Sequence, residues 1–137
     1  MFTRFLVIVL ALSLGACSAV GLMADSPKQY ATTLTISLKR VPQNFVESVS
    51  QVGTSLGYQV TETDPTKNAV QLSDDEGYAM GMLIGKIRQA KVMLTLQPGG
   101  HQIKVELLLY GNFDQATQTA AEGRVARLKS ALASRFD

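Results

Sequence analysis

The chain has 137 residues, a formal net charge of +2 and one cysteine, and 46% of its residues are hydrophobic. That length and apolar content fit one domain with one core, and a single cysteine excludes an internal disulfide, so packing alone has to hold the fold. The near-balance of charge gives no electrostatic case for binding nucleic acid.

The first residues are the most specific. Met1–Arg4 carries one basic residue, Phe5–Leu14 is a ten-residue apolar run, and Leu14-Gly15-Ala16-Cys17 closes it. A charged start, a short apolar stretch and small residues before a cut are the marks of an export signal. Ten apolar residues are too few for a membrane span, which needs about twenty to cross a hydrocarbon core of about 30 Å. The Leu14-x-Ala16-Cys17 ending resembles the lipobox of bacterial lipoproteins. The resemblance implies that residues 1–16 are a signal peptide that is cleaved, and that Cys17 becomes the first mature residue, acylated with palmitate-like chains on its sulfur and its amine. Acylation would also remove the liability of a lone exposed thiol. More than one chain is needed for stable anchoring, at about 0.8 kcal/mol per buried methylene. Ser18, standing where an inner-membrane lipoprotein often has Asp, resembles the outer-membrane-directed class, which implies a cell-envelope protein facing the periplasm. Loss of residues 1–16 takes Arg4 with it and leaves 121 residues at a net charge of +1.

Residues 17–30 read as the lipidated N-terminus and a short tether, with Pro27 and several Ala, Gly and Ser breaking any period. Thirteen residues from Ser18 reach at most about 45 Å when extended, so the domain, expected over 31–137, works near the bilayer. From Ala31, Leu34, Ile36 and Leu38 alternate with Thr33, Thr35 and Ser37, which predicts a strand with one buried face. Phe45, Val49, Val52 and Leu56 then form one stripe of a helix predicted over about Pro42–Leu56. Gly57 is its expected C-terminal stop, with Tyr58 as the following apolar contact. Tyr58 and Val60, a turn at Asp64-Pro65-Thr66-Lys67-Asn68, and Val70 with Leu72 predict a hairpin. Val92, Leu94 and Leu96, then Pro98-Gly99-Gly100, then Ile103, Val105, Leu107 and Leu109 predict a second. Asn112 or Asp114 can cap a last helix with a stripe of Val125, Leu128, Leu132 and Phe136; its first half offers Ala116, Ala120 and Gly123 for close packing.

These elements, in the order β-α-β-β-β-β-α, predict an α+β two-layer sandwich: a mainly antiparallel sheet of about five strands with two helices on one face. The order resembles the helix-grip type of module found in some envelope lipoproteins.

One stretch fits no single template. Gly77 to Gly85 places Gly77, Gly81 and Gly85 on one ridge of a helix, or, as a strand, sets Tyr78, Met80, Met82 and Ile84 on a greasy face opposite a bare one. Periodicity does not choose between helix, strand and loop. A bare face lets another backbone approach, and Met adapts to varied surfaces, so Tyr78, Met80, Met82 and Ile84 are the candidate interaction or ligand surface. Chemistry is sparse. His101 sits beside Gly99-Gly100 at a hairpin tip and reads as a turn residue, since no nucleophile accompanies it. Asp74-Asp75-Glu76 lacks the spacing of a calcium loop and reads as a solvated turn; Lys86, Arg88, Lys91, Arg124, Arg127 and Arg135 read as solvated polar faces. No catalytic residue, metal ligand or cofactor is expected. Two functions fit: a membrane-anchored, non-enzymatic interaction or assembly module whose partner is an envelope protein complex, or a carrier of a lipid-like apolar ligand.

Overall fold

A computed structural model of the chain describes residues 27–74 and 87–137. In chain order they form β1 (Lys28–Ser37), α1 (Phe45–Ser55), β2 (Gln59–Asp64), β3 (Ala69–Ser73), β4 (Ile87–Leu96), β5 (Gln102–Gly111) and α2 (Gln115–Arg135). The strands make one five-stranded sheet in the order β1-β5-β4-β3-β2, with every neighbouring pair antiparallel. The fold is α+β with the predicted order of elements.

The two-residue period of β4 and β5 decides where the core lies. Val92 and Leu94 on β4, and Ile103, Val105, Leu107 and Leu109 on β5, are all buried, while the residues between them are only partly covered. Both helices sit on that buried side. Val49 of α1 and Val125, Leu128 and Leu132 of α2 join the same cluster as Val70 and Leu72 of β3. Each such side chain contributes about 1.5–3 kcal/mol on burial, which is how the fold stands without a crosslink.

Helix α1 starts at Phe45 rather than Pro42. Its stripe has no apolar member before Phe45, Val41 is 53% exposed, and Asn44 keeps a non-helical backbone. Its end is as the sequence predicts. Gly57 takes φ +92°, its N–H donates to the Thr54 carbonyl at 3.1 Å, and the Tyr58 N–H donates to the Gly53 carbonyl at 2.9 Å. This paired closure is a Schellman motif, and it turns buried Tyr58 into the core.

Of the two capping candidates for α2, Asp114 is the one used: it accepts from the Thr117 N–H at 2.8 Å and from the Thr117 hydroxyl at 2.7 Å. The expected small-residue contact is not made. Ala116, Ala120 and Gly123 are exposed and Ala121 is buried instead, because the Ala121–Val125–Leu128–Leu132 stripe sets the helix phase and turns the other three to the far side. Phe136 extends the stripe past the helix end and stacks on Phe45 with ring centroids 6.2 Å apart.

The domain, expected from Ala31, begins earlier, because β1 starts at Lys28. Tyr30 pairs with Leu109 across the ladder and its hydroxyl donates to Glu122 at 2.7 Å, so Lys28, Gln29 and Tyr30 belong to the sheet. At the same end, the Lys28 ammonium lies 4.7 Å from the centre of the Phe113 ring.

Because nothing stands near Gly57, Gly57→Ala tests backbone conformation alone. A left-handed alanine costs roughly 1–2 kcal/mol, so urea unfolding of this variant is expected to show a free energy lower by that amount, as a lower midpoint with an unchanged slope.

Candidate functional site

Among the described residues, both helices lie on one side of the sheet and no element covers the other. On β5 the outward positions run Gln102, Lys104, Glu106, Leu108 and Tyr110. They are polar at the hairpin end, where the Lys104 ammonium lies 3.1 Å from the Glu106 carboxylate, and apolar at the other. Leu108 stands between Ala31 of β1 and Lys91 of β4, and Tyr110 between Gln29 and Gln89. Met93, opposite Glu106 on one side and Gln71 on the other, lies on the same face. Leu108 and Met93 are half-covered and Tyr110 is 37% exposed, so this end offers apolar atoms to whatever approaches it. Beside it a shallow cleft of about 510 Å³ runs from Thr61 and Gln71 to Lys91 and Tyr110. The sequence carried a signal for this patch that the alternation rule passes over: after Lys104 and Glu106, the outward positions of β5 turn apolar, giving the unbroken run Leu107-Leu108-Leu109-Tyr110.

At this end of the sheet several chain ends meet. Lys28 and Ile87 both pair with Gly111, and Ser73 pairs with Lys91. Lys28, Asp74 and Ile87, the described residues nearest these breaks, therefore all lie at the end of the sheet that carries Tyr110.

Asp74 is not part of a solvated turn. It is 2% exposed, its N–H donates to the Ala90 carbonyl at 3.1 Å, and its Oδ2 accepts from Arg124 Nε of α2 at 2.7 Å. Asp74 continues the inward parity of Val70 and Leu72, so it enters the core layer, and a buried carboxylate needs a paired charge there. Arg124 thus leaves the group expected to form only a solvated face. Arg135 also has a partner, donating to Gln51 of α1 at 3.1 Å. The pair of Asp74 and Arg124 fastens the end of β3 to the middle of α2.

The remaining polar groups have local duties. Tyr30 donates to Glu122, and this bond to a carboxylate, with some desolvation, raises the phenol above its ordinary pKa. The Asp64 carboxylate accepts from the Thr66 hydroxyl and from the N–H groups of Thr66 and Lys67, which lower its pKa and tie the β2–β3 turn. His101 is exposed at the β4–β5 tip, as a turn residue, with Nδ1 3.2 Å from the Leu38 carbonyl oxygen. Among the described residues no cluster of His, Cys, Asp and Glu is arranged to hold a metal ion, and no helix is long and apolar enough to cross a membrane. Cys17 and the sequence candidates Tyr78, Met80, Met82 and Ile84 lie outside the described residues.

No protein-family model matches the chain, and no curated protein matches it. Among solved structures it is similar to crystal structures of the major latex-like protein 151 of Panax ginseng. One superposes with a TM-score of 0.45 at 8% identity over 80% of this chain and 98% of that one. A second gives 0.46 at 9% identity over the same shares.

Removing the cation from the buried pair leaves a desolvated carboxylate, which in such pairs costs about 3–5 kcal/mol. Arg124→Gln is therefore expected to destabilise the domain by about 3 kcal/mol in chemical denaturation, whereas Arg127→Gln, on the exposed side of α2, leaves it within about 0.5 kcal/mol.

Proposed function

We propose that the chain is a non-enzymatic interaction module of the cell envelope, held at the outer membrane by lipid on Cys17, that docks onto an envelope protein complex with the open face of its sheet. The observation that carries this reading is that the described residues cover the sheet on one side, with Met93, Leu108 and Tyr110 together on the other. A carrier of an apolar ligand is the second reading, and it needs a void between sheet and helices. Over β3 the layers are in direct contact instead: a methyl group added at Gly53 of α1 would stand 2.9 Å from Leu72 Cδ1, and Leu72 is fully buried. This close seating leaves no room for a ligand between α1 and β3.

The tether sharpens the picture. Cys17 precedes Lys28 by eleven residues, which reach at most about 40 Å, and Lys28 enters the sheet at the end that carries Tyr110. An acylated Cys17 would hold the apolar end of the open face close to the bilayer, so the partner is expected to be a protein with surface at that depth. Tyr78, Met80, Met82 and Ile84 belong to the segment that starts and ends at the same end of the sheet, and they remain part of the proposal as an extension of the docking surface.

Two measurements test this. Metabolic labelling with an alkyne palmitate analogue is expected to mark the chain and to be abolished by Cys17→Ser; labelling that persists rules out the anchor. A photoreactive residue at Leu108 is expected to give one discrete envelope-protein adduct in cells, with none from Ala126 on the exposed side of α2. Lipid adducts alone at 108, or equal protein adducts from both positions, would remove the docking face.

A further inference from the structure

The two edges of the sheet are not alike. β2 is six residues long, has a register break between Val60 and Glu62, carries Glu62 and Asp64, and runs directly into Pro65. Shortness, a bulge, charge and proline are the devices that keep an edge from pairing. β1 has none of them in its interior. It is ten residues long, its register with β5 is unbroken from Lys28↔Gly111 to Ser37↔Gln102, it contains no proline, and its sole charge is Lys28 at the very start.

The hydrogen-bonding parity of that edge follows from one bond just beyond it. The Leu38 N–H donates to the His101 carbonyl at 2.7 Å, in register with the ladder. In an antiparallel pair a residue turns both its N–H and its C=O to the same neighbour, and successive residues alternate. Ile36, Leu34, Thr32 and Tyr30 therefore face β5, and Gln29, Ala31, Thr33, Thr35 and Ser37 turn their backbone groups outward, where no strand of the described residues meets them.

We infer that β1 is the seam of a homodimer, pairing antiparallel with β1 of a second copy about a two-fold axis through Thr33. This register sets outward-facing groups against outward-facing groups throughout: Thr33 against Thr33 of the partner subunit, Ala31 against Thr35 of the partner subunit, and Gln29 against Ser37 of the partner subunit. On the helix-covered side it sets Tyr30 against Ile36 of the partner subunit and Thr32 against Leu34 of the partner subunit, the aromatic and β-branched pairings that stabilise cross-strand contacts. Tyr30 and Leu34 are only partly covered in one copy, and this contact covers them. The two Lys28 residues fall at opposite ends of the seam, so like charges do not meet. Axes through Ala31 or Thr35 keep the same backbone parity but pair fewer residues of the ten-residue strand. The result is a ten-stranded sheet with all four helices on one side. It depends on neither the anchor nor the open-face docking surface.

The test is site-directed crosslinking of the full-length chain purified in detergent. Opposed residues at a hydrogen-bonded position stand about 5.5 Å apart at Cα, within the usual reach of a disulfide. Thr33→Cys is expected to convert most of the protein to a crosslinked dimer under mild oxidation. Thr35→Cys, whose two copies would lie about 13 Å apart along the strands, and the unaltered chain are expected to give background only. Thr33→Cys crosslinking no more than Thr35→Cys overturns the proposal, and so does a mixed disulfide in cells joining position 33 to a different protein in place of itself. A light-scattering mass adds a second readout: twice the protomer mass for the unaltered chain and one protomer mass for Thr33→Pro, which removes an N–H that β5 does not use. An unaltered chain that stays monomeric also overturns the proposal. The crosslinking comparison decides whether or not the proline variant folds.

Discussion

The inward rows of β4 and β5 are the constraint on which the other elements depend. Val92 and Leu94 lie directly opposite Leu107 and Val105, and all four are buried. Without these rows neither helix has a surface to cover. β1 pairs on the outer side of β5, β3 on the outer side of β4, and each helix crosses the strands on its own half, α1 over β2 and β3 and α2 over β1 and β5. Because strand side chains have a period of two, filling the core side of β5 also determines what its other side shows. The patch at Leu108 and Tyr110 is therefore held rigidly by the packing behind it, in a way that a surface loop could not match.

A second organising contact is ionic. Asp74 lies where β3 stops, and Arg124 lies on the helix that crosses the far half of the sheet. Their bond ties the end of β3 to α2 across the core. The same end receives the N-terminal segment, carries the exposed Tyr110, and is sealed over Phe113 by Lys28. The buried ion pair, the cation over Phe113 and the exposed Tyr110 thus lie at one end of the sheet, and the hairpin tips lie at the other.

Much of this architecture was legible from residue order because local preference and burial agree. The alternation in Ile103–Leu109, the stripe of Phe45, Val49 and Val52, and the left-handed Gly57 each have one good solution, and the fold adopts it. Misreadings arose where a residue's role depends on a distant element. Asp74 looks like a turn acid beside Asp75 and Glu76, and only its parity with Leu72, together with Arg124 fifty residues later, places it inside. Ala116, Ala120 and Gly123 look like a packing ridge, yet the larger Val125, Leu128 and Leu132 set the rotation of α2 and turn the ridge away. Tyr30 reads as tether because Pro27 precedes it closely, while its pairing with Leu109 depends on a strand that forms much later in the chain. The open face was missed for a related reason: a pattern search rewards regular alternation, and the informative residues are the ones that depart from it.

The entry of the chain into β1 also determines how the domain bears load. Lys28 is the first of ten paired residues, so any pull on the N-terminus reaches the ladder at that end. The ladder bonds run across the strand axis, so a pull on the N-terminus in line with the strand loads all ten pairs with β5 at once and has to shear them together. A pull applied sideways would open the same ladder one pair at a time from Lys28. The domain is therefore mechanically anisotropic, strongest against a pull along β1 and weakest against one across it.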